Sequence, residues 1–365
     1  MRIAFVCTHA ESLGGSYVHV RDVSTALMAR GYVVKVFIGG TGIVTEQLEK
    51  RGVPYQSLQN LARPISPIRD IASVLELSRH LRAFRPDLIS CHSSKAGIIG
   101  RLVTSGATPK LFTAHGWAFA DGVGRKARLY EKLERMVAPR ARRIITVCEA
   151  DRDDAIRRRI APREQFVTIY NGMPEASFRA DVGRQPPRII SVARLDTQKD
   201  HPTLLRALAA LRNLEWSLVL VGDGPRRSEL ETLAGSLGIS NRVTFLGVSQ
   251  TVGEELAASQ IFCLSSNYEG FPRSTLEAMR TGLPVIVTDV NGCKEALIEG
   301  KTGFSVPPRD VESLAERLGI LIQRPDLRVE MGQRGRELFV ERFTFERMLD
   351  EMLALYEEVL GEELS

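Results

Sequence analysis

Short apolar runs alternate with segments of helical period from one end of the chain to the other. In the first half the runs fall at 2–7, 33–38, 87–91, 110–114, 143–148 and 166–169. In the second they fall at 188–192, 217–221, 242–246, 260–264 and 284–288. Most are rich in valine and isoleucine without polar alternation, the pattern of strands covered on both faces in a parallel sheet. Strand–helix alternation sustained twice predicts an α/β protein of two Rossmann-like, doubly wound domains. Glycine, proline and charge replace the periodicity over 172–187, which sets domain limits of 1–175 and 186–343. A final amphipathic segment, 344–361, starts at Thr344, an N-cap residue with Glu346 in the first turn.

A length of 365 residues suits two such domains better than one core. The five cysteines (Cys7, Cys91, Cys148, Cys263 and Cys293) are scattered, and three end apolar runs. That is the usage of reduced, buried cysteine, not of a disulfide frame or a zinc site. No stretch approaches the roughly 20 apolar residues of a spanning helix. The opening run IAFVC is too short for a signal core. The expectation is a cytoplasmic protein.

The net charge of +5 hides an asymmetry. Residues 1–175 carry 27 Lys and Arg against 16 Asp and Glu, whereas 176–365 carry 22 against 28. An excess of cations on one half points to an anionic partner for that half. The densest run, 125–143, holds eight Lys and Arg against two Glu, with Leu129, Leu133, Met136 and Val137 at helical spacing. Such a segment fits an anionic membrane face, and equally a helix packed on its sheet with a solvated basic side. No nucleic-acid motif or aromatic stacking platform accompanies the charge, so nucleic acid is not the expected partner.

The stretch 263–289 carries the most chemistry. A buried strand ends at Ser265-Ser266, a turn holds Glu269-Gly270-Phe271-Pro272, and a helix opens near Arg273–Ser274. An open helix N-terminus offers unpaired N–H groups to an anion. Glu269 falls at the carboxyl end of a strand, where open α/β sheets bind ligands. Glu277 lies about two turns deeper, where a carboxylate could accept both hydroxyls of a ribose; a cap and a surface glutamate would have the same spacing. Arg194 and Lys199 follow the strand 188–192 and could neutralise a diphosphate. Gly14-Gly15 lies between the first strand and its helix, His115 directly follows the strand 110–114, and His92-Ser93-Ser94-Lys95 ends one strand and opens a helix. The last group could bind phosphate or could be an ordinary helix cap by Ser93 or Ser94.

Three other patterns fail. Gly300-Lys301-Thr302 lacks the first glycine of a Walker loop, and Arg227 replaces the third glycine of a dinucleotide fingerprint after Gly222 and Gly224. Asp151-Arg152-Asp153 reads as an acidic helix start and not as a metal site.

EGFPRSTLE (269–277) resembles the Glu-x7-Glu motif of the retaining glycosyltransferases of sequence family four, which have the GT-B fold. SVARLDTQKDHPTLLRAL, VGDGPRRSEL, THAESLGGSYVHV and TAHGW resemble further motifs of that family in the same order, so the likeness covers nearly the whole chain. It implies two domains facing across a cleft, with the C-terminal helix packing back on the first. It implies that Arg194 and Lys199 hold a diphosphate, Glu277 the ribose and Glu269 the sugar hydroxyls. Backbone N–H groups around Gly270, Phe271, Pro272, Arg273 and Ser274 would hold the sugar or distal phosphate. His115, Gly14 and Gly15 would close over the donor, while His92, Ser94 and Lys95 would face the acceptor. The SKAG wording resembles bacterial members that extend lipid-linked glycans, which implies UDP-hexose or UDP-N-acetylhexosamine as donor. The acceptor would be a glycan or polyprenyl-linked acceptor, on a protein that is cytoplasmic or peripheral on the inner membrane face. No cofactor and no catalytic metal are expected. No enzymic nucleophile is evident, which favours same-face attack on an ion-pair-like transition state. A nucleotide-sugar epimerase or a sugar phosphorylase could share the fold, and a non-catalytic sugar-nucleotide sensor would bind the same donor.

Overall fold

The computed structural model describes residues 1–11, 14–104, 106–120 and 125–361. The chain divides into two compact units, Met1–Tyr170 with Leu349–Ser365, and Asn171–Met348.

The first unit runs β1 (Arg2–Cys7), α1 (Gly15–Ala29), β2 (Val33–Gly39), α2 (Ile43–Lys50), β3 (Tyr55–Leu58), α3 (Pro67–Phe84), β4 (Leu88–His92), α4 (Ser94–Leu102), β5 (Lys110–Ala114), α5 (Arg125–Val137), β6 (Arg143–Thr146), α6 (Glu149–Arg157) and β7 (Phe166–Thr168). Its seven strands are all parallel, in the order β3-β2-β1-β4-β5-β6-β7. The centre is apolar because its strands are covered on both sides: Ile3, Ala4, Phe5 and Val6 of β1 and Leu88, Ile89 and Cys91 of β4 are all inaccessible to solvent. Each fully buried Ile, Val, Leu or Phe side chain among them contributes about 1.5–3 kcal/mol of transfer free energy.

The second unit runs β8 (Arg188–Val192), α7 (His201–Ala210), β9 (Ser217–Val221), α8 (Arg227–Ser236), β10 (Val243–Gly247), α9 (Val252–Ala257), β11 (Ile261–Leu264), α10 (Arg273–Thr281), β12 (Val285–Thr288), β13 (Gly303–Val306), α11 (Val311–Gln323), α12 (Pro325–Arg342) and α13 (Phe345–Leu360). Its six strands are parallel in the order β10-β9-β8-β11-β12-β13. From Leu349 onward α13 groups with the first unit. The Thr344 hydroxyl accepts the Arg347 N–H at 3.4 Å, a long N-cap bond.

Each sheet reverses its winding once, at β1/β4 and at β8/β11. Crevices at such switch points, beyond the carboxyl ends of the strands, are where open α/β sheets take their ligands.

Two strands of the structure were not expected from the apolar pattern, β3 and β13. Both have four residues and lie at a sheet edge. β3 is only partly covered, and Gln56 and Ser57 sit in it without breaking the ladder. All five cysteines are free and buried.

Candidate active site

At the switch point of the first sheet, Thr8 follows β1 and Ser93 follows β4, and their hydroxyls lie 2.8 Å apart. Thr8 Oγ1 also accepts the Ala96 N–H at 3.1 Å, so it caps α4 from a neighbouring strand. This corrects the expectation of a cap by Ser93 or Ser94: Ser93 is the N-cap residue, but no side chain of its own caps the helix. Ser93 holds φ 68° and ψ 157°, a conformation costly for any residue with a Cβ and typical of places where a ligand site is over-determined by its surroundings.

Three imidazoles converge beside it. His92 Nδ1 lies 3.0 Å from His115 Nε2, and Ser90 Oγ lies 2.9 Å from His92 Nε2. His19 of α1 packs its ring edge on His115, with centroids 5.1 Å apart. One ring nitrogen of each lies within 4.8 Å of the other two, so the cluster is the group among the described residues able to hold a metal ion. Burial drives the His92 pKa well below the ordinary imidazole value, and the neighbouring His115 adds to the effect. His92 is therefore a neutral hydrogen-bonding group. Fully buried Tyr356 of α13 faces Ser90 at the far end of this chain.

Two acceptor-side expectations change accordingly. His92 is 1 % exposed and backs His115 instead of facing a ligand. The Lys95 ammonium is spent on Asp70 at 2.7 Å and on the Pro64 carbonyl. Ser94 is half-buried at the first turn of α4. His115 itself is half-buried just beyond β5, and Gly116 after it takes φ 106°, which favours glycine. Gly14 and Gly15 are exposed at the start of α1, whose N-terminus has no side-chain cap. Among the described residues a Cβ at Gly14 would meet only Tyr17, at 3.9 Å, so their packing does not require a glycine there. Ser12 and Leu13 of the same loop lie outside the described residues.

In the second unit the corresponding switch point is bridged by charge. Lys199, in the loop after β8, forms an ion pair with Glu269, in the loop after β11. Ser266 Oγ donates to the same carboxylate oxygen at 2.7 Å. Glu269 is 7 % exposed and Ser266 fully buried, so the pair is held in a protein-like medium, where charge interactions are strongest. The two loops are laced together by their backbones: Asn267 N–H donates to the Gln198 carbonyl at 2.7 Å, and Gln198 Nε2 donates to the Tyr268 carbonyl at 3.0 Å. Arg194 stands at the rim, 61 % exposed, paired with Asp196.

Beyond Gly270, Asn171 Nδ2 holds the Phe271 carbonyl at 3.0 Å. Phe271 and Pro272 are buried, while Arg273 and Ser274 are half-buried. α10 starts at Arg273 with neither a side-chain cap nor an acidic residue in its first turn. Its leading N–H groups and positive dipole end thus sit immediately beyond the Lys199–Glu269 pair in sequence. Glu277 is half-buried in α10, and its carboxylate accepts no hydrogen bond from another described residue. Burial raises its pKa, against the pull of Arg273 and Arg280. Thr8, His19, Ser266 and Asn171 were not foreseen. Each is a single polar residue whose partner lies far away in sequence, except Ser266, which a buried serine three positions before Glu269 could have flagged.

The chain matches two family models in succession: "Glycosyl transferase 4-like domain" over residues 14–172 and "Glycosyl transferases group 1" over 174–338. It is 30 % identical over 385 aligned positions to a D-inositol 3-phosphate glycosyltransferase of Nocardia farcinica, with 92 % of this chain and 84 % of that one covered. It is 29 % identical to an Escherichia coli galactosyltransferase named for UDP-Gal and α-D-GlcNAc-diphosphoundecaprenol, with 81 % of each chain covered. The crystal structure of Anabaena HepE in complex with UDP and glucose superposes with a TM-score of 0.85 at 21 % identity, covering 98 % of this chain and 99 % of that one.

Proposed function

Because the chain belongs to the glycosyltransferases of sequence family four and has the GT-B fold, we propose that it is a retaining, metal-independent hexosyltransferase of envelope-glycan synthesis. The donor is UDP-hexose or UDP-N-acetylhexosamine, and the acceptor is a glycan carried on a polyprenyl diphosphate. The observation that carries the donor site is the Lys199–Glu269 pair at the β8/β11 switch point, followed directly by the uncapped start of α10. The names of the Escherichia coli and Anabaena relatives support UDP as the nucleotide and a diphosphate-linked lipid as the acceptor.

In this reading the diphosphate displaces Glu269 from Lys199 and Asp196 from Arg194. The freed carboxylate of Glu269 turns to the sugar hydroxyls, and Glu277 takes the ribose. As the glycosidic bond breaks, negative charge accumulates on the departing diphosphate, and the two cations stabilise it more in the transition state than in the bound donor. The acceptor hydroxyl attacks from the face the diphosphate leaves, and its proton passes to a diphosphate oxygen. Two fixed cations and a helix N-terminus supply the charge that a divalent ion would otherwise bring. His115, held through His92, orients the sugar.

The test is transfer from UDP-glucose, UDP-galactose and their N-acetylated forms to a synthetic polyprenyl-diphosphate glycan, with and without EDTA. Proton NMR of the product should show the anomeric configuration of the donor, and the rate should be insensitive to the chelator. An inverted product or EDTA-sensitive turnover would overturn the corresponding part of the proposal.

A further inference from the structure

α3 and α5 flank α4 on one side of the first sheet, and their outward faces share a composition. On α3 the exposed residues Ile68 (84 %), Ile71 (64 %) and Leu75 (66 %) are followed by exposed Arg79 and Arg82. The steps of three and four place all five on one stripe. Ile65, 47 % exposed, extends the apolar part past the helix start. On α5 the exposed residues are Arg128, Leu129, Lys132, Arg135 and Met136; the side chains of Arg125 and Lys126 lie outside the described residues. In a helix that only packs on its sheet Leu129 and Met136 would turn inward; both face outward.

All four carboxylates of the two helices are already engaged. Asp70 pairs with Lys95, Glu76 accepts the Gln59 and Asn60 N–H groups, Glu131 pairs with Arg135 and Arg158, and Glu134 is buried against Arg101. Arg69, Arg79, Arg82, Arg128 and Lys132 have no carboxylate partner among the described residues. Apolar side chains this exposed, ringed by unpaired cations, are the composition of a helix that lies in a lipid interface. A second copy of the chain would bring these same arginines against one another, which opposes self-association through this face.

We infer that α3, with α5 beside it, docks the protein on an anionic lipid surface, Ile68, Ile71 and Leu75 entering the interface and Arg79 and Arg82 meeting the headgroups. The start of the stripe is fixed to the carboxyl edge of the sheet, because the Lys95 ammonium at the head of α4 holds the Pro64 carbonyl and Asp70. Docking therefore brings Ser93 and Ser94 close to the lipid surface. That last step concerns the acceptor and rests on the function proposed above; the docking does not.

The experiment is flotation of the full chain with vesicles of phosphatidylcholine, alone or with about a third phosphatidylglycerol, without donor or acceptor. The wild type should float with the anionic vesicles. Joint substitution of Ile68→Ser, Ile71→Ser and Leu75→Ser should weaken binding about a hundredfold. Arg79→Gln with Arg82→Gln should weaken it about tenfold on anionic vesicles and leave neutral ones unchanged. All five positions are exposed, so unchanged melting by circular dichroism is expected for both variants. Absence of wild-type binding, or binding that the triple serine variant retains, would overturn the inference. So would a wild-type dimer in light scattering that the triple variant converts to monomer, since a second copy would then cover the face. A nucleotide-sugar thermal shift on the same samples separates failure here from failure of the donor site.

Discussion

The two sheets reverse their winding at equivalent places, yet they bridge the crevice in opposite ways. At β1/β4 the contact is between neutral hydroxyls, Thr8 and Ser93, with the buried imidazole of His92, whose pKa burial lowers, and its partner His115 alongside. At β8/β11 it is a charged pair, Lys199 with Glu269. The difference separates two kinds of preorganisation. Neutral groups fixed by burial present a shape and a hydrogen-bond pattern that change little when a ligand arrives. An ion pair stores a cation beside a removable counter-ion, ready for an anionic ligand that offers more charge than one carboxylate. In the function proposed here the second unit carries the diphosphate chemistry for that reason, and the first carries positioning.

Removing the stored cation is the severest way to break this contrast. Lys199→Ala should lower kcat by about a thousandfold, the scale of one preorganised charge at a developing anion. It also leaves Glu269 without its counter-ion, so Lys199→Ala with Glu269→Gln separates lost catalysis from an unpaired carboxylate. Initial rates of sugar transfer measure both. A fall of less than about tenfold would remove Lys199 from the chemistry and return the pair to a structural role.

In the first unit the matching change is His92→Leu, which leaves His115 without the imidazole that holds its Nε2. The expected loss is ten- to hundredfold in kcat, roughly the cost of misplacing one orienting group. Asn at this position keeps a polar group near the Nδ1 site and should restore most of the rate. His92→Leu and His115→Ala should be strongly non-additive in a double-mutant cycle, since one acts through the other. Additive losses would mean that the two histidines serve separate purposes.

The architecture was legible where burial made it so. The nine interior strands and the outer strands β7 and β10 announce themselves as apolar runs. β3 and β13 do not, because an edge strand of four residues needs little apolar surface to complete one ladder. Site residues in loops after strands could be read from position: Glu269, Lys199, Arg194 and His115 all lie where they were expected along the chain. What sequence spacing cannot carry is a contact across the fold. Thr8 capping α4 joins residues 88 positions apart. Lys95 reads as a free cation until Asp70 is seen 2.7 Å away, and His92 reads as exposed until β1 and α1 close over it.

The charged unit has a neutral imidazole of its own. His201, at the start of α7, is buried, and its Nδ1 has no hydrogen-bond partner among the described residues. Burial lowers its pKa to about 4, and the Lys199 charge contributes. The unfolded chain therefore binds a proton at this residue before the folded one does. Stability is fully present above the unfolded value of 6.5 and falls as the pH drops toward about 4. Between pH 7 and pH 5 the wild type should lose about 2 kcal/mol more than His201→Gln in urea unfolding. His92 titrates in the same direction but is present in both proteins, so the difference isolates His201. Equal pH dependence would show that His201 is protonated or well solvated in the folded state.

The smallest expected effect bears on the idea of stored charge itself. Arg194 is largely exposed, and its pair with Asp196 is of the kind that contributes about 0–1 kcal/mol to stability. Asp196 also holds its own loop in shape, since its Oδ1 accepts the Gln198 N–H at 3.0 Å and so fixes the segment that carries Lys199. Asp196→Asn keeps that acceptor and removes only the charge. Stability should shift by no more than about 0.5 kcal/mol, while donor affinity rises about two- to fivefold, because the diphosphate no longer competes with a carboxylate for Arg194. Isothermal titration with UDP at two salt concentrations measures it. A rise that fades at high salt places Arg194 on the diphosphate. An unchanged affinity means that Asp196 does not hold the arginine back, and that the ion pair buried with Glu269 is the one whose exchange governs binding.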